Sequence, residues 1–377
     1  MRIAFVSDSV YPWNVGGLET IEKAEAEGLS SEHELHYFSL RWPGMKDDFT
    51  RGRIRYHTFH DINHGKFYRH GRRSIREAVV FAVGMLRIFR YRFDVIHSNE
   101  FPILQLPVLR LYCALTGCKL IVYVHEVWDM AYWTTYLGGG MGRLADIYAN
   151  WALGMADHYM ANSDVTAERL EKLRIARSRI TIFAPTIDDA KMGQIKEAKK
   201  TREIIYAGRL IKEKRLDRWI DVVGKTAKLT KTKGVIVGEG PERKEIEALI
   251  RRMKLEKVIS VRGFYSSANK SALFRRIKEA GLFLHMSERE GLSTVALECI
   301  ALGTPVLLPS YTPIPKDVKD MCMVADEKDL PRVAAKILNG RKADYIPNRN
   351  LISRFYTSKV AQVYREIFRK IGARGHD

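Results

Sequence analysis

The feature that most constrains this chain is an alternation kept almost from end to end. Short runs rich in β-branched and apolar residues are separated by longer stretches whose apolar side chains recur at helical spacing. That is the signature of an α/β fold. In the first half the strand candidates are RIAFVS, HELHYFSL, RIRYHTF, FDVIHS, KLIVYV and DHYMAN, with helical stretches at 19 to 29, 74 to 91, 102 to 116 and 143 to 155. In the second half EIIYAG, KGVIVG, VISVRG, LFLHMS and PVLLPS alternate with helices near 216 to 228, 241 to 254, 270 to 279 and 294 to 302. Between them ITIFAPTIDDAKMGQIKEAKKTRE loses apolar periodicity and reads as a linker, with a boundary near residues 185 to 202. A final helix at about 351 to 371 carries Phe355, Val360, Val363, Tyr364, Ile367 and Phe368 on one apolar stripe, so it must pack on something. Two Rossmann-like halves are expected, with ligands beyond the carboxyl ends of the strands.

Length and composition narrow the class. The chain has 377 residues, enough for two domains with sizeable cores. Its four cysteines, Cys113, Cys118, Cys299 and Cys322, lack the paired short spacings of a zinc site and read as buried free thiols of a reducing compartment. The first apolar run is broken at Asp8, too soon for a signal sequence, and no stretch approaches the length of a membrane span. A soluble, cytoplasmic protein is expected. The formal charge of +19 implies attraction to something acidic: nucleic acid, an anionic membrane or a phosphorylated ligand.

Three constellations carry chemistry. DSVYPWNVGGLE follows the first strand, and Gly16 and Gly17 would let backbone N–H groups approach a pyrophosphate at a helix start; a tight strand-to-helix turn is the alternative. YAGRLIKEKRLD follows the first strand of the second half. There Arg209 and Lys214, after Gly208, could clamp a diphosphate and its leaving-group charge, while Lys212, Glu213 and Arg215 read as a solvated charge run. In SEREGLSTVALECIALGTPV, Ser293 is a candidate N-cap and the following helix ends at Gly303 and Pro305. Glu298 lies inside that buried helix, where an unpaired carboxylate costs several kcal/mol, so it needs a basic partner or a ligand with hydroxyls, a ribose above all. Glu290 falls in the loop before the helix. It and the backbone of Gly291, Leu292 and Ser293 could meet a sugar and a phosphate.

Gly-Gly-x-Glu after the first strand, Gly-Arg-Leu-x-x-x-Lys after the first strand of the second half, Gly238-Glu239-Gly240-Pro241, and Glu-x7-Glu at 290 to 298 together resemble the retaining GT-B glycosyltransferases of family 4. The resemblance implies two Rossmann-like domains facing across a cleft. The first, 1 to 190, would bind the acceptor and receive the C-terminal helix, 355 to 377, crossing back onto it; the second, 200 to 354, would bind the nucleotide sugar. By position, Glu298 would hold ribose hydroxyls, Arg209 and Lys214 the diphosphate, and Glu290 the transferred sugar. Gly16 and Gly17 would close on the diphosphate. The family's histidine at a strand end in the first domain falls on His125. The chain departs from the pattern at FAPTIDD, where an Asn-Gly pair is usual, and at Arg215, where a Gly is usual.

The implied reaction is metal-independent hexosyl transfer from a UDP- or GDP-type sugar to an acceptor hydroxyl of a glycan, lipid-linked glycan or glycolipid, with retention. A phosphate oxygen would take the acceptor proton. No cofactor and no metal are expected, in keeping with the absence of an Asp-x-Asp sequence. The stretch 66 to 93 sets Arg69, Arg72, Arg73, Arg76, Arg87, Arg90 and Arg92 around an apolar helix, which reads equally as a contact for the inner face of an anionic membrane and as a core helix with a basic edge. Competing readings are a UDP-sugar 2-epimerase of the same architecture and, on charge alone, a nucleic-acid-binding protein, for which no binding module stands out.

Overall fold

The computed structural model describes residues 1–14, 17–62, 68–69, 72–263, 270–288, 292–340 and 349–373. The chain divides into two units, one formed by Met1–Thr186 with Thr357–Asp377 and the other by Ile187–Tyr356.

In the first unit the strands are β1 (Arg2–Val6), β2 (Glu34–Arg41), β3 (Phe49–Arg51), β4 (Ile54–Asp61), β5 (Val95–Asn99), β6 (Lys119–Val124), β7 (His158–Ala161) and β8 (Ile180–Ile182). They form one sheet in the order β8-β7-β6-β5-β1-β2-β4-β3, parallel except where β3 runs against β4. Every residue of β5 and β7 is buried, as a sheet covered on both faces requires. The order reverses at β1, which pairs with β2 on one side and β5 on the other, Ile3 lying opposite both Leu35 and Val95. The crevice beyond the ends of β1 and β5 is therefore the switch point at which such sheets bind ligands.

The helices of this unit are α1 (Gly17–Leu29), α2 (Ile75–Gly84), α3 (Leu106–Thr116), α4 (Met130–Leu137), α5 (Gly139–Leu153) and α6 (Asp164–Lys172). The expected helix at 74 to 91 changes pitch: α2, capped by Ser74, gives way at Gly84 to a 3-10 stretch, Met85–Arg90. A Cβ on Gly84 would stand 2.1 Å from the Phe59 ring, so only glycine lets the helix lie this close to β4. The expected linker also begins too early. Its first residues, Ile180–Ile182, are a strand, Ile180 pairing with Tyr159 of β7.

The second unit holds β9 (Glu203–Ala207), β10 (Lys233–Val237), β11 (Ile259–Arg262), β12 (Leu282–Leu284), β13 (Val306–Pro309) and β14 (Met323–Ala325), all parallel in the order β11-β10-β9-β12-β13-β14. Its helices include α7 (Leu216–Leu229), α8 (Arg243–Arg252), α9 (Lys270–Glu279), α10 (Thr294–Ala301) and α11 (Leu330–Leu338). The switch point lies between β9 and β12.

The single C-terminal helix expected at 351 to 371 is instead two pieces. Phe355 belongs to a short turn of the second unit, and its carbonyl accepts from the Ile187 N–H at 2.9 Å. Tyr356 is extended and bridges to Ile187, which ends the helical path. A separate helix, α12 (Val360–Lys370), then packs in the core of the first unit through Val360, Tyr364, Ile367 and Phe368.

Candidate functional site

In the second unit the loop after β9 carries Gly208, Arg209 and Lys214. The Gly208 N–H donates to the Val237 carbonyl at 3.0 Å, and the Arg209 carbonyl accepts from the Tyr206 hydroxyl at 2.9 Å, leaving the Arg209 side chain exposed. Lys214 closes a 3-10 turn and is half-buried. Arg215 is not the solvated charge expected of it. Its backbone is left-handed (φ 49°), the conformation for which glycine is suited, which accounts for the family's usual residue there. Its guanidinium makes two bonds to Asp217, at 3.0 and 2.9 Å, and a further one to Glu288.

Those contacts tie two strand-end loops together. The Glu288 N–H and the Ser287 hydroxyl both donate to the Glu213 carbonyl, at 3.1 and 3.2 Å, and Arg218 reaches Glu288 at 3.2 Å. Lys214 and the lead-in to the Glu290 loop thus share one edge of the sheet, flanking the switch point between β9 and β12. Glu290 and Gly291 themselves, like Gly16, lie outside the described residues.

Gly238 sits where β10 ends, and a Cβ there would fall 1.9 Å from the Gly208 carbonyl oxygen. Gly240 is as tight, 2.3 Å from the Leu210 carbonyl oxygen. Leu210 exchanges backbone bonds with this turn, donating to Glu239 at 2.9 Å and accepting from Glu242 at 3.1 Å. These glycines let the loops after β9 and β10 interlock, a structural demand that is met before any ligand is considered.

Ser293 caps α10 as expected, its hydroxyl accepting from the Ala296 N–H at 3.3 Å. Leu292 is half-buried just before it. Within α10 the Glu298 side chain is only 5 % exposed, and its Oε1 lies 2.9 Å from Nζ of Lys270, the first residue of α9. Burial pushes the Glu298 carboxyl up while Lys270 pulls it back down. Of the two partners the sequence allowed, a base and a ligand, the base is present. Lys270 had no signal of its own, being one lysine among many. A cavity of about 580 Å³ is lined by the carboxylates Glu213, Asp217, Glu242, Glu245 and Glu288 against the cations Lys212 and Arg215, an acidic balance that makes a poor setting for a diphosphate.

In the first unit Gly17 opens α1 with nothing within 4 Å of where its Cβ would be. The glutamate of Gly-Gly-x-Glu, Glu19, is buried and accepts from the Ser9 hydroxyl and the Asn14 amide, both at 2.7 Å. One turn on, buried Glu22 accepts from Tyr37 at 2.7 Å and from Asn99, which also donates to Ser7. Burial holds the Glu22 carboxyl well above the usual carboxylate range.

His125 follows β6 directly. Its N–H donates to Oε1 of Glu100 at 2.8 Å, and its carbonyl accepts from Thr166 at 3.2 Å. The Glu126 N–H also reaches Glu100, at 3.3 Å. Burial pushes the imidazole down to about 3, so it is neutral at physiological pH, and its Nε2 has no hydrogen-bond partner among the described residues. Glu100, pushed by burial up to about 8, was missed by sequence reasoning. The available signal was an acid placed at the end of a buried strand.

Two family descriptions match. Residues 15–191 match Glycosyltransferase Family 4 and residues 188–339 match Glycosyl transferases group 1, together running from residue 15 to 339. The chain belongs to the family 4, group 1 glycosyltransferases. Among curated relatives of this family, a protein of Escherichia coli K12 named as a candidate colanic acid biosynthesis glycosyltransferase, WcaL, is 28% identical over 170 residues, 42% of this chain and 40% of that protein. The alpha-D-kanosaminyltransferase of Streptomyces kanamyceticus is 24% identical over 229 residues, 56% of this chain and 57% of that one. The chain thus spans about half the length of the relatives it matches. Solved GT-B structures share the fold across the whole chain. The lipopolysaccharide outer core galactosyltransferase WaaB superposes with a TM-score of 0.67 at 18% identity, covering 98% of this chain and 100% of its own. Sucrose-phosphate synthase from Thermosynechococcus elongatus gives 0.71 at 16%, covering 99% of both chains. Anabaena HepE in complex with UDP and glucose gives 0.67 at 14%, covering 98% of this chain and 99% of its own. This GT-B glycosyltransferase fold is what the two parallel-sheet units build.

Proposed function

We propose that this glycosyltransferase moves a hexose-type sugar from a UDP- or GDP-type donor to an acceptor hydroxyl, retaining the anomeric configuration and using no metal. The observation that carries the reading is Glu298: a carboxylate inside a buried helix, beside the switch-point crevice of a parallel sheet, with one oxygen held by Lys270. Vicinal ribose hydroxyls suit the other oxygen. HepE, a structural neighbour, was solved with UDP and glucose, which supports a nucleotide donor here.

In this reading Arg209 and Lys214 hold the diphosphate and the charge that grows on it as the donor bond breaks. Gly208, Gly238, Gly291, Leu292 and Ser293 bring backbone close to it, and Gly16 and Gly17 give it their N–H groups from the first unit. Glu290 meets the transferred sugar. His125, neutral and with Nε2 uncommitted, hydrogen-bonds a sugar hydroxyl. The acceptor hydroxyl attacks from the leaving-group face and passes its proton to a phosphate oxygen, so no enzyme carboxylate has to serve as nucleophile. The acceptor, a glycan or lipid-linked glycan, belongs to the first unit, whose arginine-rich helix contacts an anionic membrane surface. No described helix is long and apolar enough to cross a membrane.

Thermal-shift screening with UDP, GDP, ADP and their sugars identifies the donor, and the anomeric coupling of the product in NMR spectra reads its stereochemistry. An inverted product overturns retention, and conversion of the donor without an acceptor overturns transfer in favour of epimerisation. A Glu290→Gln variant with full transfer rate removes Glu290 from the mechanism.

A further inference from the structure

The first unit contains a pocket of about 550 Å³, within the range of small-molecule sites, that the donor reading leaves unused. Its walls are aromatic: Phe101, Trp128, Trp133, Tyr136 and Tyr148. The Phe101 ring is tilted against Trp128 with centroids 4.6 Å apart, and Trp128 meets Trp133 edge to face at 4.7 Å. The lip is apolar yet open to solvent, with Ile75 54 % exposed, Met141 57 % and Leu144 69 %.

From that lip the apolar surface runs outward in two directions. Along α2 and its 3-10 extension Val79, Val83, Leu86 and Phe89 continue the exposed stripe begun by Ile75, although the opposite face already buries Phe81, Met85 and Ile88. Along α5, Ile147 and Trp151 continue from Met141 and Leu144. Soluble proteins rarely leave patches of this extent uncovered. The polar residues interleaved with the stripe select the cover. Arg76, Arg90 and Arg143 are exposed, whereas the single acid between residues 75 and 90, Glu77, is buried against His60. An apolar stripe edged by arginines, with Trp and Tyr beside it, matches the boundary between lipid headgroups and acyl chains.

The pocket's place in the fold indicates what enters it. Phe101 directly follows Glu100, and Trp128 lies three residues after His125, at most about 11 Å along the backbone. A chain lying among these aromatics would leave its polar head at the ends of β5 and β6. We infer that this pocket receives the hydrocarbon chain of a membrane-resident lipid whose head group carries the hydroxyl that accepts the sugar. The inference rests on the transferase reading and names its substrate class.

Binding of octyl, decyl and dodecyl glucoside, followed by tryptophan fluorescence, tests it directly. Affinity should rise about fourfold for each added methylene. Ala145→Trp, which fills the pocket, and Met141→Glu, which puts a charge on its exposed lip, should abolish that dependence. Fold integrity is checked by melting, and Met141, being exposed, keeps the test valid if the first variant does not fold. Vesicles of phosphatidylcholine with phosphatidylglycerol should float the protein and pure phosphatidylcholine should not, with the gain lost in Arg76→Glu/Arg90→Glu. Equal affinity for methyl and dodecyl glucoside, or an unchanged chain-length series in both pocket variants, overturns the inference. UDP-dependent stabilisation, measured in the same samples, reports separately on the donor reading.

Discussion

The Lys270 ammonium stands 2.9 Å from Oε1 of Glu298, so the first residue of α9 neutralises a carboxylate in the interior of α10. Lys270→Met leaves that carboxylate buried without its base. Because the Lys270 side chain is 26 % exposed, the expected loss is about 2 to 3 kcal/mol, below the roughly 3 to 5 of a fully buried pair. Urea denaturation measures it. Lys270→Met/Glu298→Leu should recover most of the loss, since the double variant leaves no stranded charge.

Glu100 gives the first unit a pH dependence of definite sign. Its carboxyl is raised from an ordinary value near 4.5 to about 8, so the folded protein favours the protonated form. The contribution is full below about pH 4.5 and is lost as pH climbs through about 8, on the order of a few kcal/mol in all. Glu100→Gln keeps an oxygen to accept from the His125 N–H and does not ionise. Melting curves from pH 5 to 9 should show wild type falling relative to the variant as pH rises; parallel curves would show that Glu100 does not titrate in this window.

Gly238→Ala sets a methyl group 1.9 Å from the Gly208 carbonyl oxygen, a backbone atom that cannot step aside. A loss of about 2 to 4 kcal/mol is expected by denaturant titration. Gly139→Ala, where nothing lies within 4 Å, should stay within about 0.5 kcal/mol of wild type.

Tyr364→Phe removes the hydroxyl that lies 2.7 Å from Nδ1 of His97. Both side chains are fully buried, and among the described residues His97 Nε2 faces Glu25 at 3.6 Å, beyond hydrogen-bond distance. The unpaired ring nitrogen should cost about 1 to 3 kcal/mol, read as a lower denaturation midpoint.

The alternation of strands and helices was legible because buried parallel strands are continuous apolar runs, as in RIAFV and KLIVYV. Two edge strands escaped. Ile180–Ile182 has one neighbouring strand and a half-exposed pattern, and Met323–Ala325 likewise, so neither stands out from loop sequence. The break at Tyr356 was hidden because the apolar spacing of Phe355 and Val360 fits one helix, although the two residues pack in different units. Ser293 and the burial of Glu298 were readable from local pattern. Lys270 and Glu100 were not, because each acts on a residue at least 25 positions away, a pairing that only the folded sheet brings about.

The return of α12 to the first unit reverses the order in which the two halves can be completed on a ribosome. Residues 187 to 356 can close their own core as they emerge, but the core around Phe5, His97 and Leu29 lacks Val360, Tyr364 and Ile367 until those residues have followed. The half synthesised first is thus the half finished last, and through that interval His97 of its sheet and Glu25 of α1 lie without their tyrosine lid.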